Sequence, residues 1–211
     1  MARKTKAEAE KTRQLLLDSA MRLFSEKGVV KTTLAQIAAD AQMTRGAIYW
    51  HFEDKADLLH ALFERSITPE AERLWRTMTE EGADPLECLL KASHAFWLEM
   101  NSESTLKQVM MLYNQAEQVP ELADKLDELH CQEDSHMYQA LKMASERGAL
   151  HPDMSVETAF TLFHTLHAGM VQLVCGARKC TVELDKEKIF RELILGIERA
   201  VSAPGRLKSP R

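Results

Sequence analysis

Apolar positions recur at three- and four-residue spacing along most of the chain, and no stretch alternates with period two, which predicts an all-α protein. A first helix is predicted over about 7–27, with Leu16, Ala20, Leu23 and Phe24 on one face and Gly28 as its stop. Thr33 followed three residues later by Gln36 has the form of a capping box, opening a second helix whose inward face is Leu34, Ile37, Ala38 and Ala41. Thr44 can cap a third, Arg45 to His51, with Ala47 and Ile48 turned back towards the second. Small side chains on facing helices permit the close, steep crossing of a helix-turn-helix. Asp54 then caps a fourth helix, with Asp57 three residues on and Leu58, Leu59, Ala61, Leu62 and Phe63 following.

Thr68-Pro69 interrupts that helix, because proline disfavours helical geometry in the residue before it, and the pattern resumes through Trp75 and Met78 to Gly82. Asp84, Pro85 and Glu87 combine an N-cap, a proline at the first helical position and a first-turn carboxylate, starting a helix to about Met100. Further helices are predicted over about 103–115 and 120–147, the latter stopped by Gly148. In the helix over 155–175, apolar positions from Ala159 to Val174 cover roughly 200° of arc, against the ~100° of one core-facing stripe. One of its faces can pack on its own domain while the other meets something else. The last helix, about 185–201, carries its own stripe of Ile189, Phe190, Leu193, Ile194, Ile197, Ala200 and Val201.

The chain has 211 residues, 45% of them hydrophobic, enough for one or two domains with a sizeable core. No run approaches the 18 or so apolar residues of a membrane span, and the charged start lacks the apolar core of a signal peptide, so a cytoplasmic location without membrane contact is expected. Four scattered cysteines (Cys88, Cys131, Cys175, Cys180) imply no disulfide framework. Charge is unevenly placed. Residues 1–50 hold nine Lys or Arg against five Asp or Glu, so a net +4 head leaves −9 on the remainder of a chain of net charge −5. That asymmetry suits a protein that touches nucleic acid at one end and is repelled elsewhere.

The residues left outside the predicted third helix are Thr44, Arg45, Gly46, Tyr49, Trp50 and His51. An arginine able to pair with guanine, hydroxyls for phosphate and a glycine for close backbone approach make a DNA-reading composition. The segment TRGAIYWHF, followed by Asp54, Lys55 and a leucine-rich helix, is similar to the signature of the TetR family of transcriptional regulators. The opening MARKTKAEAEKTRQLLLDSAMRLFSEKGV resembles the AcrR-type branch, whose members mostly repress multidrug-efflux genes. The resemblance covers about the first 65 residues and fades afterwards. It departs at Gln42, where the family often has glycine, and at Leu112 to Glu117, where close AcrR-type relatives carry a histidine-lysine-cysteine segment, so their ligand preferences do not carry over.

The resemblance implies DNA contact by Thr33, Thr44, Arg45, Gly46, Ala47, Tyr49, Trp50 and His51, with Lys55 joining free N–H groups of the fourth helix on a backbone phosphate. Eleven methionines, several beside aromatic residues on the middle helices, suggest an adaptable hydrophobic pocket of Trp75, Met78, Phe96, Trp97, Met100, Met110, Met111, Tyr113, Met137 and Tyr138. Each of these residues also reads as ordinary core. The family's two C-terminal helices pair with their twins, which implies a homodimer interface of Phe160, Phe163, His167, Met170, Val171, Val174, Phe190, Ile194 and Ile197. His130, Cys131 and His136 lie on one helix and cannot close a tetrahedral metal site alone, and nothing lowers the thiol pKa of Cys175 or Cys180, so neither a metal nor a cofactor is expected.

The expectation is therefore an N-terminal helix-turn-helix head over 1–52, within a family domain of about 10–70, a ligand-binding and dimerisation domain over 53–203, and a tail over 204–211. The expected partners are a palindromic double-stranded operator and a small hydrophobic or amphipathic ligand that releases it, and no catalysis is expected. Two alternatives stay open: a TetR-like regulator of lipid or stress responses, and a helical ligand-binding protein or enzyme that keeps the N-terminal pattern without using it.

Overall fold

A computed structural model describes residues 6–67, 69–78, 80, 82–175 and 185–205, without the side chains of 69–71, 75 and 128–135. The expectations for the Trp75, His130 and Cys131 side chains, for Cys180 and for the tail beyond 205 lie outside the described residues. The described helices are α1 (Lys6–Lys27), α2 (Leu34–Asp40), α3 (Arg45–His51), α4 (Lys55–Ser66), α5 (Pro69–Thr77), α6 (Pro85–Met100), α7 (Thr105–Ala116), α8 (Pro120–Glu146), α9 (Val156–Cys175) and α10 (Lys186–Val201). Among the described residues there is no strand, only an isolated antiparallel bridge between Leu150 and Ser202. No described helix is long and apolar enough to cross a membrane.

The chain forms two compact units, one of residues 1–66 with 108–129 and one of 67–107 with 130–211. In the first, α1 buries Leu16, Leu17, Ala20, Leu23 and Phe24 against Ile37 and Ala38 of α2, Ile48 of α3 and the Leu58–Leu62 face of α4. Burying a residue such as Ile48 completely stabilises the fold by roughly 2–3 kcal/mol. Polar ties fix the helices around this core. Arg22 of α1 forks onto both carboxylate oxygens of Asp40 at the end of α2, and Arg65 of α4 reaches back to Asp18 at 2.7 Å and Gln14 at 3.2 Å. The end of α7 and the start of α8 complete the unit, burying Val109, Leu112, Tyr113, Ala116 and Leu126.

The turn between α2 and α3 closes as a Schellman motif: Met43 N–H donates to Ala38 O at 2.8 Å and Gln42 N–H to Ala39 O at 3.0 Å. That geometry puts Gln42 at φ 57, the left-handed region in which a side chain crowds the following carbonyl. The end of α8 closes with the same pair of bonds, from Ala149 N–H to Ala144 O and Gly148 N–H to Ser145 O, and there the position is a glycine at φ 67.

In the second unit, Asp84 caps α6 by accepting from Leu86 N–H and Glu87 N–H, both at 3.1 Å. Leu86 and Leu89 of α6, Ala140, Leu141 and Ala144 of α8, and Ala159 and Phe163 of α9 share one core with Leu150 and Val201. Trp97 of α6 stacks on Phe190 of α10 with ring centroids 4.5 Å apart and planes at 16°. His167 of α9 meets Phe96 edge to face at 5.6 Å, and its Nδ1 lies 2.8 Å from the Phe163 carbonyl. Burial pushes the His167 imidazole below the usual histidine range; the Phe163 carbonyl opposes this shift and His164 adds to it.

Two outcomes are expected. Gln42→Gly relieves the left-handed strain and raises stability by about 0.5–1 kcal/mol, visible as a higher melting temperature. A histidine whose folded pKa lies below its unfolded value of about 6.5 contributes stability that is present above that pH and lost as pH falls through the folded pKa. Melting temperature is therefore expected to fall from pH 7.5 to 5, and less so in His167→Gln, in thermal scans across that range.

Candidate nucleic-acid interface

α3 is seven residues long and is held from both ends and from below. Thr44 Oγ1 accepts from Ala47 N–H at 3.2 Å, Phe52 N–H donates to Ile48 O at 2.9 Å, and Ile48 and Phe52 are buried. The preceding α2 carries the capping box read from the sequence: Thr33 Oγ1 accepts from Gln36 N–H at 3.2 Å, and Thr33 N–H donates to Gln36 Oε1 at 2.8 Å. Thr33, Thr44, Arg45, Gly46, Tyr49 and Trp50 are exposed, whereas Ala47 and His51 are half-buried. Trp50 is 72% exposed, the largest fraction among the exposed large hydrophobic residues, and Tyr49 is 49% exposed. Arg45 lies over the Tyr49 ring, 5.7 Å from its centroid, one helical turn away. A cation and two aromatic rings thus face outward from a helix whose other side buries Ile48 in the core.

The link from α3 to α4 is only Phe52, Glu53 and Asp54, and hydrogen bonds pin it. Asp54 Oδ1 accepts from Ala56 N–H at 2.8 Å and Asp57 N–H at 3.0 Å, capping α4, while Asp57 Oδ2 accepts from Glu53 N–H at 2.9 Å. The other Asp54 oxygen pairs with the Lys125 ammonium of α8. Burial raises the Asp54 pKa, but the hydrogen bond from Lys125, the N–H groups of Asp57 and Ala56 and the Lys125 charge outweigh it, leaving the carboxyl below its usual range. Lys55 is placed differently from the phosphate-facing position expected. Its Nζ donates to the carbonyls of Val29 at 2.8 Å and Val30 at 3.3 Å, closing the turn after α1. Burial lowers its pKa.

The residues grouped by sequence as a ligand pocket are divided between the two units. Met110, Met111 and Tyr113 belong to the first unit, where Met111 is exposed and buried Tyr113 packs edge-on against Phe63 of α4 at 5.7 Å. In the second unit Met78 and Met137 belong to the shared core, Met100 is fully buried, Trp97 is taken up by Phe190 and Phe96 by His167. Tyr138 donates its hydroxyl to Glu157 at 2.9 Å. The second unit has an open groove of about 460 Å³ between α5, α6 and α10, bordered by Leu74, Leu90, His94, Leu98 and Ile194.

Of the predicted homodimer residues, Phe163, Met170, Phe190 and Ile194 are buried within their own chain, and His167 meets Phe96 of that chain. Phe160, Val171, Val174 and Ile197 are half-buried. The outward faces carry Ala168, Gly169 and Leu173 on α9 and Leu193, Gly196 and Ala200 on α10, with Leu173 and Leu193 41% and 42% exposed. Burial pushes the Cys88 and Cys175 thiols up, away from the lowered pKa of a reactive thiol.

Comparison with known proteins places this geometry. Residues 16–62, which span α2 and α3 with the second half of α1 and the first two turns of α4, match the model of bacterial regulatory proteins of the tetR family. The chain is 35% identical over 176 residues to the HTH-type transcriptional regulator AcrR of Shigella flexneri, an alignment covering 82% of each protein. It superposes on native NalD, the secondary repressor of the MexAB-OprM multidrug efflux pump in Pseudomonas aeruginosa, with TM-score 0.74 and 27% identity, over 92% of this chain and 97% of that one. SmeT in its triclosan complex gives TM-score 0.72 and 27% identity over 95% and 96%, and SmeT is the repressor of the Stenotrophomonas maltophilia multidrug efflux pump SmeDEF. With more than four-fifths of an AcrR relative aligned and the helix-turn-helix in place, the chain belongs to the tetR family of bacterial regulatory proteins.

Proposed function

We propose that this protein is a homodimeric transcriptional repressor that holds a palindromic operator through α3, blocks an efflux operon and lets go when an apolar small molecule binds its C-terminal helices. The observation that supports this reading best is the doubly capped α3, which buries Ile48 and leaves Thr44, Arg45, Gly46, Tyr49 and Trp50 exposed. Arg45 is suited to a bidentate contact with guanine, Thr44 and Tyr49 to phosphate oxygens, and Gly46 to close approach of the helix N-terminus. Trp50 and His51 flank the same surface. Thr33 and Ala47 shape it from the cap and the first turn, and Lys55 supports it by holding the turn after α1.

A two-fold dimer would present two such helices to two half-sites. The outward strips of α9 and α10, with small residues beside Leu173 and Leu193, would let the helices of two copies approach closely. The efflux target and the apolar ligand rest on likeness to NalD and to SmeT with triclosan. Binding linkage requires ligand and operator to weaken each other by the same factor.

Anisotropy binding to the intergenic DNA beside this protein's own gene tests the reading. Arg45→Ala is expected to cost about 1–3 kcal/mol on that DNA and to relax discrimination against competitor, with the dimer retained. Unchanged affinity in Arg45→Ala combined with Tyr49→Ala would contradict DNA reading by α3. For the dimer, Leu193→Glu is expected to halve the mass seen by light scattering at micromolar concentration, whereas a wild-type monomer would remove the two-fold arrangement altogether.

A further inference from the structure

The α7–α8 elbow, residues 108–129, packs with the DNA-reading helices in one compact unit and grips α4 at two places. Tyr113 of α7 lies edge-on to Phe63, with its hydroxyl 3.4 Å from His60 Nδ1. Lys125 of α8 pairs with Asp54, 71 residues away in sequence. Asp54 is a special target because its carboxylate already does a second job: one oxygen caps α4 through Ala56 N–H and Asp57 N–H, and the other takes the ammonium. Upstream, three residues separate the last residue of α3 from the first of α4, a span of at most about 14 Å for an extended chain. Phe52 is buried and bonded back to Ile48, and Glu53 N–H is held by Asp57. With no slack in that link, the direction of α3 follows the start of α4. Lys55, next in sequence, ties the same point to the carbonyls of Val29 and Val30.

We propose that Lys125 is a positioning residue for the DNA-reading helix: by holding the carboxylate that caps α4, it fixes the angle of α3 and favours specific over non-specific DNA. This rests on the reading of α3 as the DNA-contacting helix. The competing role for a half-exposed lysine in this unit is direct contact with a DNA phosphate, and the two roles separate by salt dependence. A phosphate contact contributes to every DNA sequence and to the salt slope, about 0.9 in log Kd per log salt, whereas a positioning contact leaves both alone.

The experiment compares the full chain with Lys125→Met, Lys125→Arg, Asp54→Asn and the Lys125→Met/Asp54→Asn double variant. Asparagine caps a helix about as well as aspartate, so Asp54→Asn removes the ion pair and spares the cap. Anisotropy is read on the intergenic duplex and on a scrambled duplex of equal length across a salt series, and amide hydrogen exchange is read over residues 48–57. Lys125→Met and Asp54→Asn are each expected to weaken the intergenic duplex by about threefold to fivefold, the range of a partly exposed ion pair. Scrambled-duplex affinity and the salt slope stay at wild-type values, and exchange quickens at Phe52, Glu53 and Ala56. The double variant is no worse than either single one, and Lys125→Arg restores binding. Equal losses on both duplexes with a slope reduced by about 0.9 would overturn positioning in favour of phosphate contact. Unchanged exchange over 48–57 would overturn it too. If wild type shows no preference between the duplexes, DNA reading by α3 fails, and the exchange data still decide whether Lys125 orders the link.

Discussion

The DNA-facing surface depends on one constraint: a helix of seven residues cannot hold itself together in water. Isolated helices shorter than about 12–15 residues are marginal even with favourable sequences, because the cost of nucleation is spread over too few hydrogen bonds. α3 is ordered by its surroundings, through the Thr44 cap before it, the Phe52 cap after it and the complete burial of Ile48 below. Each of these commits the inner side of the helix and leaves the outer side free to carry Arg45, Tyr49 and Trp50. Exposing two aromatic rings is unfavourable for the free protein, and under the proposed function a duplex covering them would recover that loss.

The same logic extends outward. α2 must sit at a fixed crossing to receive Ile48, so its own start is locked by the reciprocal Thr33–Gln36 bonds and its end by the Arg22–Asp40 fork. α4 must start where the three-residue link delivers it, and Asp54, Asp57 and Lys55 fix that point from three directions. Gln42 is the one place where this tight arrangement imposes a backbone conformation unsuited to its residue, and it lies in the turn that sets the crossing. A family member with glycine there would meet the same geometry without the strain.

What the sequence made legible was local. Caps at Thr33, Thr44, Asp54 and Asp84 each use partners two or three residues away, and their bonds formed as the spacing indicates. The break at Pro69 was equally visible, and it separates α4 from α5. Contacts between distant segments were not. Nothing near Asp54 points to Lys125, and nothing near Lys55 says that its ammonium closes on Val29 and Val30 rather than facing outward. The stripes of α9 and α10 announced burial without saying which chain provides it: Phe163, Met170 and Phe190 are satisfied internally, while Leu173 and Leu193 on the flanks stay open. The stacking of Trp97 on Phe190 is a distant contact of the same kind, with no local signal at either residue.

The most direct test of the central claim, that paired α3 helices read a two-fold DNA site, is hydroxyl-radical footprinting of the intergenic DNA beside this protein's gene. Two symmetry-related protected patches on one face of the duplex are predicted, with the protection lost when Arg45 and Tyr49 are both alanine. Protection by wild type that survives in that variant, or no protection at concentrations where the dimer is intact, would contradict it.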